Sequence, residues 1–292
     1  MRNVIKYFYG LNVTNIRQKN DIYFLEIDGS DYLFCKCDLD KFKNVLKIID
    51  TNFNYHKLVR TINGDICIFF NDTYYVLLKV KTISKKICID DIIASHYFIN
   101  VDPSIKNHWI ELWSNNIDYF EYQLNESDMA FTILAKYAAY YIGLAENAIQ
   151  LLKSIDSTGL EVYTAHKRVS HNTDLITLYN PTMVIFDTKV RDFAEYYKSV
   201  FFTADISSRK NILNELLGIL KNLTSVEKNM FFARMLYPSY FFDAYDKLMF
   251  NGENIIDMYI DKIGDYELFL KHIYEYIKKT TYIDNIDWLI IQ

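Results

Sequence analysis

The feature of this sequence that most constrains its fold is a change of hydrophobic pattern near residue 82. Before it, short apolar runs alternate with turn dipeptides, as in residues 21–37, where Asp28-Gly29 separates two strand-like runs. This spacing predicts β-hairpins. After it, apolar residues recur every three or four positions, which predicts helices from about residue 90 onward. We therefore predict an α+β chain with a β-rich domain, residues 1–82, and a helical domain, residues 83–292.

Within the first 82 residues the pattern predicts a particular order of elements. Residues 40–50 have helical spacing and follow the first hairpin. A second hairpin is predicted from strands at 57–62 and 65–70, because an Asn-Gly dipeptide separates them. A further strand is expected at 74–80. The predicted layout is therefore a hairpin, a helix and a three-stranded meander.

Composition excludes several classes of protein. With 51% apolar and 24% charged residues, the chain is not typical of a disordered protein. Its net charge of -5 predicts no nucleic-acid partner. The longest apolar stretch, residues 129–145, is interrupted by Lys136, so we predict a buried helix rather than a membrane span. Only eight glycines are present, and neither of the common glycine-rich phosphate motifs occurs.

The cysteines and the N-terminus indicate the compartment. The four cysteines, at positions 35, 37, 67 and 88, form no C-x-x-C pair, so we predict reduced thiols rather than a zinc site. The first ten residues do not have the pattern of a signal peptide. Both observations predict a cytoplasmic protein.

The segment from residue 161 to residue 199 is the least generic part of the chain. An apolar run ends there in Asp187, and Arg191 and Asp192 open a predicted helix. Asp192 would be favourable at the positive end of that helix. Arg191 would be available to pair with a carboxylate.

Four stretches carry a resemblance to a known family. They are LVRTINGDICIFFNDTYYVLLKV, HWIELWSNNIDYFEYQL, IFDTKVRDFAEYYKS and ARMLYPSYFFDAYDKLM. In their order they resemble the two-lobed protein-kinase-like fold, in the branch of aminoglycoside phosphotransferases and choline kinases. More closely, the chain is similar to the kinase-like spore-coat proteins of the CotS and YutH type. The resemblance implies a small β-rich lobe and a larger helical lobe.

The resemblance also implies a set of site residues. Phosphotransferases of this kind use a loop H-G-D-x-x-x-x-N, in which the Asp is the base and the Asn a magnesium ligand. Aligned at His166, this chain has Lys167 and Arg168 at the Gly and Asp positions, and Thr173 at the Asn position. Arginine does not deprotonate in a protein, so Arg168 cannot act as a base. An active enzyme would have to use Asp174 or another acid instead.

The other family positions are partly kept. Asp187 matches the second magnesium-binding Asp, and Asp192 a structural Asp. Lys36 is the candidate for the strand lysine that holds nucleotide phosphates, although the predicted helix after it lacks the usual Glu. His166 is the second candidate for a cofactor contact, with bracing of the loop as the simpler reading. A metal site of His166, His171 and Asp174 is an alternative.

Three functional hypotheses follow. The first is a kinase-like protein with a degenerate site, which acts by binding and has a role in spore-coat assembly if its source sporulates. The alternative is a phosphotransferase that uses ATP and magnesium to modify a hydroxyl of a small molecule. The third is docking of a protein partner on the aromatic segment 237–250.

Overall fold

The computed structural model describes residues 1–19, 21–49, 54–99, 105–126 and 133–290. The chain packs into two compact units. The first contains Met1–Ile99 and Thr164–Phe186, and the second contains Asn100–Tyr163 and Asp187–Gln292. The first unit thus consists of two separate segments of the chain. The domain boundary proposed near residue 82 stays a prediction.

The first unit is built on an antiparallel sheet. Its strands are β1 (Asn15–Lys19), β2 (Ile22–Ile27), β3 (Ser30–Cys37), β4 (Lys57–Val59), β5 (Ile68–Phe70) and β6 (Thr73–Lys79). The order is β1-β2-β3-β6-β4, and β5 also pairs with β6. The predicted first hairpin is confirmed: β2 and β3 are joined by Asp28 (φ 49°) and Gly29 (φ 70°), as a tight turn of this handedness requires.

The predicted second hairpin is wrong. β4 pairs with residues 77–79 of β6, and β5 pairs with residues 73–75 of the same strand. The Asn-Gly dipeptide lies inside a closed turn, in which Thr61 N donates to Asp65 O (2.9 Å) and Gly64 N donates to Thr61 O (2.9 Å). This turn places β4 and β5 one after the other along the same edge of β6, so they do not pair with each other.

Two helices cover the two faces of the sheet. α1 (Arg2–Tyr9), which the sequence did not predict, buries Ile5 and Tyr9 against the face that presents Phe34. The predicted helix after β3 is confirmed as α2 (Leu39–Ile49), and its Phe42 packs on the other face, against Cys35. Alternate residues of β3 therefore belong to different faces.

The remaining short segments lie wholly or mostly in the first unit. They are α3 (Ile89–Ser95), β7 (Phe98–Ile99), β8 (Val162–His166), α6 (Leu175–Leu178), a 3₁₀-helix (Pro181–Met183) and β9 (Val184–Asp187). β7, β8 and β9 form a three-stranded sheet with β8 in the middle. β8 and β9 flank the loop that resembles a catalytic loop.

The second unit is helical, as predicted. Its described helices are α4 (Ile105–Glu126), α5 (Ile133–Ser154), α7 (Val190–Thr203), α8 (Arg209–Leu220), α9 (Ser225–Leu236), α10 (Ser239–Asn251), α11 (Asp257–Ile260), α12 (Ile263–Thr280) and α13 (Asp287–Ile290). α9 is the central helix, packed on α5, α7 and α12. Its start is fixed by a capping box of Thr224 and Glu227. Among the described residues, no helix is long and apolar enough to cross a membrane.

Candidate functional site

The loop after β8 begins with Lys167, whose backbone N–H and side-chain ammonium both donate to backbone carbonyl oxygens. His166 ends β8 and is buried, and Lys167 N donates to Met183 O (2.8 Å). Lys167 Nζ donates to Thr182 O (2.8 Å). Burial and the nearby charge of Lys41 both lower the pKa of Lys167. Arg168, which the sequence resemblance aligns with the family's base, is exposed.

The middle of this loop is a closed turn. Ser170 N donates to Thr173 Oγ1 (2.9 Å), and Thr173 N donates to Ser170 O (3.0 Å). Lys86 Nζ donates to Asn172 Oδ1 (3.2 Å). Thr173, which the sequence resemblance aligns with a magnesium-binding Asn, has a hydroxyl oxygen that already accepts a hydrogen bond within the loop.

Asp174 caps a helix. Its Oδ1 accepts a hydrogen bond from Thr177 N (2.8 Å) at the start of α6. The neighbouring backbone pairs with residues 85–87: Ile87 N donates to Thr173 O (3.1 Å) and Leu175 N to Lys85 O (2.9 Å). The proposed role of Asp174 as a substitute acid stays a prediction. The alternative metal site has no support, since His166, His171 and Asp174 do not form a ligating group within the described residues.

Lys36 lies on the face of the sheet that α1 covers. Its Nζ is 2.9 Å from Asp21 Oδ1, and the side chains are 47% and 73% exposed. The opposite face of β3, which α2 covers, presents Leu33 and Cys35. A phosphate-holding lysine pairs with the helix after its strand, and Lys36 does not face that helix. The phosphate-binding role proposed for Lys36 therefore stays a prediction, and its ion pair with Asp21 does not favour that role.

The face of β3 toward α2 is filled by the chain itself. Ile176 of α6 packs against the cluster of Leu33 and Cys35. Asn180, which is fully buried, donates from Nδ2 to Cys35 Sγ (3.6 Å). Burial raises the pKa of Cys35 to about 12, so this side chain is a neutral thiol. Carbon, sulfur and a neutral amide thus cover this face of β3 around Cys35.

His56 joins α6 to the sheet. Lys81 N donates to His56 Nδ1 (3.4 Å), so the proton is assigned to Nε2, which lies 2.8 Å from Ile176 O. His56 N donates to Tyr179 O (3.1 Å). Burial lowers the pKa of His56 to about 4, so the ring is neutral at pH 7. Sequence reasoning missed this residue, because a single histidine beside a strand carries no distinguishing pattern.

In the second unit, Asp187 is enclosed by three donors. Its Oδ2 accepts from Trp109 Nε1 (3.1 Å) and from Arg191 Nη1 (3.1 Å), and its Oδ1 accepts from Thr188 N (2.7 Å). Only 5% of its side chain is exposed. Arg191 thus pairs with a carboxylate, as the sequence indicated. A guanidinium and an indole N–H on one carboxylate do not fit a magnesium ligand, which would need those oxygens for the ion.

A buried ionic network supports Trp109. The guanidinium of Arg234 lies 4.7 Å from the centre of the Trp109 ring, and its Nε donates to Glu195 Oε1 (2.9 Å). Lys198 Nζ also donates to Glu195 Oε1 (2.9 Å) and to Ser239 Oγ (2.9 Å). Burial alone would raise the pKa of Glu195, but the charges of Lys198 and Arg234 lower it overall. Burial lowers the pKa of Lys198, opposed by Glu195.

Sequence reasoning missed this network. Glu195 and Lys198 are three residues apart on α7, a spacing that places both on one helix face. Arg234 interrupts an otherwise apolar run in α9. An ionic residue inside a buried run was the available signal, because such a charge needs a partner. Asp192 is likewise buried in the first turn of α7, and its structural role stays a prediction.

Comparison with known proteins places the chain in a family. The family model described as "Spore coat putative kinase YutH" matches residues 2–273. The chain belongs to this family. One relative, the endospore coat-associated protein YutH of Bacillus subtilis (strain 168), is 24% identical over 212 residues, which are 62% of this chain. The chain spans 61% of the length of that relative.

Solved structures confirm the protein-kinase-like fold of this YutH-family chain. An aminoglycoside phosphotransferase from Alicyclobacillus acidocaldarius has a TM-score of 0.65 at 9% identity, covering 96% of this chain and 97% of its own. A spectinomycin phosphotransferase in complex with ADP and spectinomycin has a TM-score of 0.53 at 8% identity, covering 94% and 97%. At such identities the likeness shows the fold alone.

Proposed function

We propose that this YutH-family chain is a kinase-like protein without phosphotransfer activity, which acts by binding in the assembly of the spore coat. The observation that carries the proposal is the Asp187 carboxylate, whose two oxygens are engaged by Arg191, Trp109 and the backbone. In the superfamily this Asp holds magnesium at the nucleotide phosphates. Here a guanidinium already supplies the positive charge.

The loop supports the same proposal. A general base contributes roughly 10²- to 10⁴-fold to rate, and Arg168 cannot accept a proton at neutral pH. Asp174, the nearest substitute, uses an oxygen to cap α6. Thr173 has a hydroxyl where the family has a metal-binding amide.

The antiparallel sheet of the first unit also supports the proposal that this chain lacks phosphotransfer activity. The lysine that holds nucleotide phosphates forms an ion pair with the helix after its strand. In this chain that face presents Cys35, covered by Asn180 and Ile176. Binding of a nucleotide there would require Ile176 and Asn180 to leave the sheet.

The proposed location follows from the family and from the relative in Bacillus subtilis, which is named as endospore coat-associated. We infer that the chain is made in the cytoplasm of a sporulating cell and assembles with protein partners of the coat. The alternative is an ATP- and magnesium-dependent phosphotransferase. The presence of an Asp at the end of β9 favours it, since that position is kept.

The two functions are separated by thermal unfolding of the full chain with ATP. A nucleotide with a Kd of about 10 µM would stabilise the protein by about 2.7 kcal/mol at 1 mM. We expect no change of midpoint with ATP and MgCl₂ up to millimolar concentration. A rise at micromolar ATP that disappears with EDTA and in Asp187→Ala, but persists in the exposed-site control Glu253→Gln, would establish the alternative.

A further inference from the structure

A groove on the second unit has the shape and the charges of a docking site for a helix. It runs between α4 and α5 and has a volume of about 410 Å³. Ligand-binding pockets have volumes of about 300–1,000 Å³, so this groove is large enough to hold side chains of a partner. Apolar residues line it from both helices, and charged residues stand beside them.

Isoleucines form the floor of the groove. Ile117 of α4 and Ile149 of α5 line it and are buried. Each has a counterpart seven positions earlier, Ile110 and Ile142, and these two are half-buried. Residues seven positions apart lie on the same face of a helix, and such an apolar repeat is the pattern by which helices pack side by side. The two helices therefore present matching apolar stripes to a third helix.

The charged side chains of the groove have no partner in the part of the chain that the structure describes. Asp118 on α4 and Glu146 and Lys153 on α5 line the groove and are exposed. None of the three forms an ion pair or a hydrogen bond with another described residue. Charges of both signs in one groove are therefore available to a partner that carries the opposite charges.

The positions of these charges set a length. Glu146 and Lys153 lie seven positions apart on α5, which is about 10 Å along the helix axis. Two turns of a second helix have the same length. A basic and an acidic residue seven positions apart on a partner helix can therefore meet Glu146 and Lys153 at the same time.

The walls of the groove favour a helix over an extended chain. The backbone N–H and C=O groups of α4 and α5 are used within these helices, so they cannot pair with an extended backbone. A partner helix satisfies its own backbone groups. Gly143, seven positions before Gln150 of the groove, has nothing within 4 Å of the place where a Cβ atom would stand. A helix can therefore approach α5 closely there.

The groove differs from the docking surface that the sequence indicated. In the segment 237–250, the side chains of Tyr237, Phe241 and Tyr245 are buried. The docking role of that segment stays a prediction. The charges of the groove are exposed, and charge complementarity gives them a partner of defined chemistry.

We propose that the groove between α4 and α5 docks an amphipathic helix of a partner protein. The docked helix has an apolar stripe, flanked by a basic and an acidic residue seven positions apart. The inference rests on the proposed function, because a protein that acts by binding needs a recognition surface, and it specifies the chemistry of the partner.

The test uses a library of displayed helical peptides that share a leucine stripe of helical period and vary at all other positions. The full chain selects from the library, and fluorescence anisotropy gives the Kd of enriched peptides. We expect them to carry the basic and acidic residues at the proposed spacing. Glu146→Lys with Lys153→Glu reverses the polarity of the groove at constant net charge. It should raise the Kd about tenfold or more, because like charges then face each other. Exchange of the two charges in the peptide should restore the affinity.

Asp40→Lys with Lys47→Asp is the matched control, because these exposed residues are also seven positions apart, on α2 of the first unit. This variant should bind the peptides as wild type does. Circular dichroism checks that both variants fold. A library without binders, or equal affinity of wild type and the polarity-reversed variant, overturns the proposal. Tight binding of ATP with magnesium would refute the proposed function instead, so the two failures are distinguishable.

Discussion

The loop after β8 and the cluster around Asp187 are the two regions that the sequence resemblance aligns with the acidic residues of phosphotransferases, and they differ from that pattern in different ways. By the alignment at His166, the loop has Arg168 and Thr173 where the phosphotransferase pattern has a base and a metal ligand. The cluster has kept its acid, but Arg191 and Trp109 bind the carboxylate. The first change is visible in the sequence and the second is visible only in the contacts.

This difference teaches that an acid at a family position is not evidence of a metal site until the partners of its oxygens are known. A carboxylate that binds a metal must be accessible to the ion. Without the ion, its unpaired charge lowers the stability of the fold. Removal of a carboxylate that is paired with a buried guanidinium costs stability, because the guanidinium loses its charge partner in a place that water does not reach. Stability measurements on matched variants can therefore tell the two apart.

The largest effect is expected for Asp187→Ala. Removing this carboxylate takes away the acceptor of the Trp109 indole N–H and one acceptor of the Arg191 guanidinium, so the free energy of unfolding should fall by about 3 to 5 kcal/mol. Urea denaturation measures the change. Asp187→Asn keeps an acceptor for Trp109 but loses the charge. Its free energy of unfolding should therefore lie between those of wild type and Asp187→Ala.

The exposed residue Asp257 provides the control for this prediction, because Asp257→Ala removes an acid outside the cluster. Its free energy of unfolding should stay close to that of wild type. If Asp187→Ala were as stable as wild type or more stable, the carboxylate would be a functional group held at a cost, and the contrast between the two regions would disappear.

The next effect concerns pH and the first unit. The ordinary histidine pKa of 6.5 falls to about 4 for His56 in the folded protein because of burial. The unfolded state therefore binds a proton at a higher pH than the folded state. The free energy of unfolding should fall by up to about 3 kcal/mol between pH 6.5 and pH 4. Denaturant unfolding at a series of pH values measures it.

His56→Gln removes the titrating ring and keeps a donor for Ile176 O. Its stability should be lower at pH 7 but flatter between pH 6.5 and pH 4. His108→Gln is the matched control, because His108 is exposed, and it should keep the slope of wild type. An unchanged slope in His56→Gln would mean that another group governs the acid sensitivity of this region.

The sequence predicted the elements better than their partners. Local turn chemistry is encoded in adjacent residues, so the Asp28-Gly29 turn and its hairpin were predictable. Pairing of β4 and β5 with β6 depends on competition among strands, which a dipeptide does not decide. α1 was missed because its apolar residues are mostly β-branched or aromatic, and only packing against the sheet stabilises it.

The same limit applies to the candidate site. Arg168 could be judged from its chemistry alone, because no environment makes arginine a base. The state of Asp187 depends on Trp109, which is 78 positions away in the chain. Side-chain partners at such separations are set by the packing of several helices and leave no trace in local spacing.

A smaller effect tests Asp174, the acid that stands beside the changed loop. Asp174→Ala removes the cap of α6 and should lower the free energy of unfolding by about 1 kcal/mol, whereas Asp174→Asn retains a capping oxygen and should be close to wild type. Denaturant unfolding of both variants gives the comparison. Equal losses in the two variants would show that the charge, rather than the cap, is what the protein uses at this position.

The smallest effect is expected for Lys36→Met, which tests the third part of a phosphotransfer site. Lys36 pairs with Asp21 in solvent, and exposed ion pairs are screened and add little stability. The thermal midpoint should therefore match that of Lys19→Met, an exposed lysine on β1 that gains the same apolar side chain. Addition of ATP and magnesium should leave both midpoints unchanged. A nucleotide-dependent stabilisation in wild type and in Lys19→Met that is lost in Lys36→Met would instead make Lys36 a phosphate contact. The face of the sheet that α1 covers would then be the functional one.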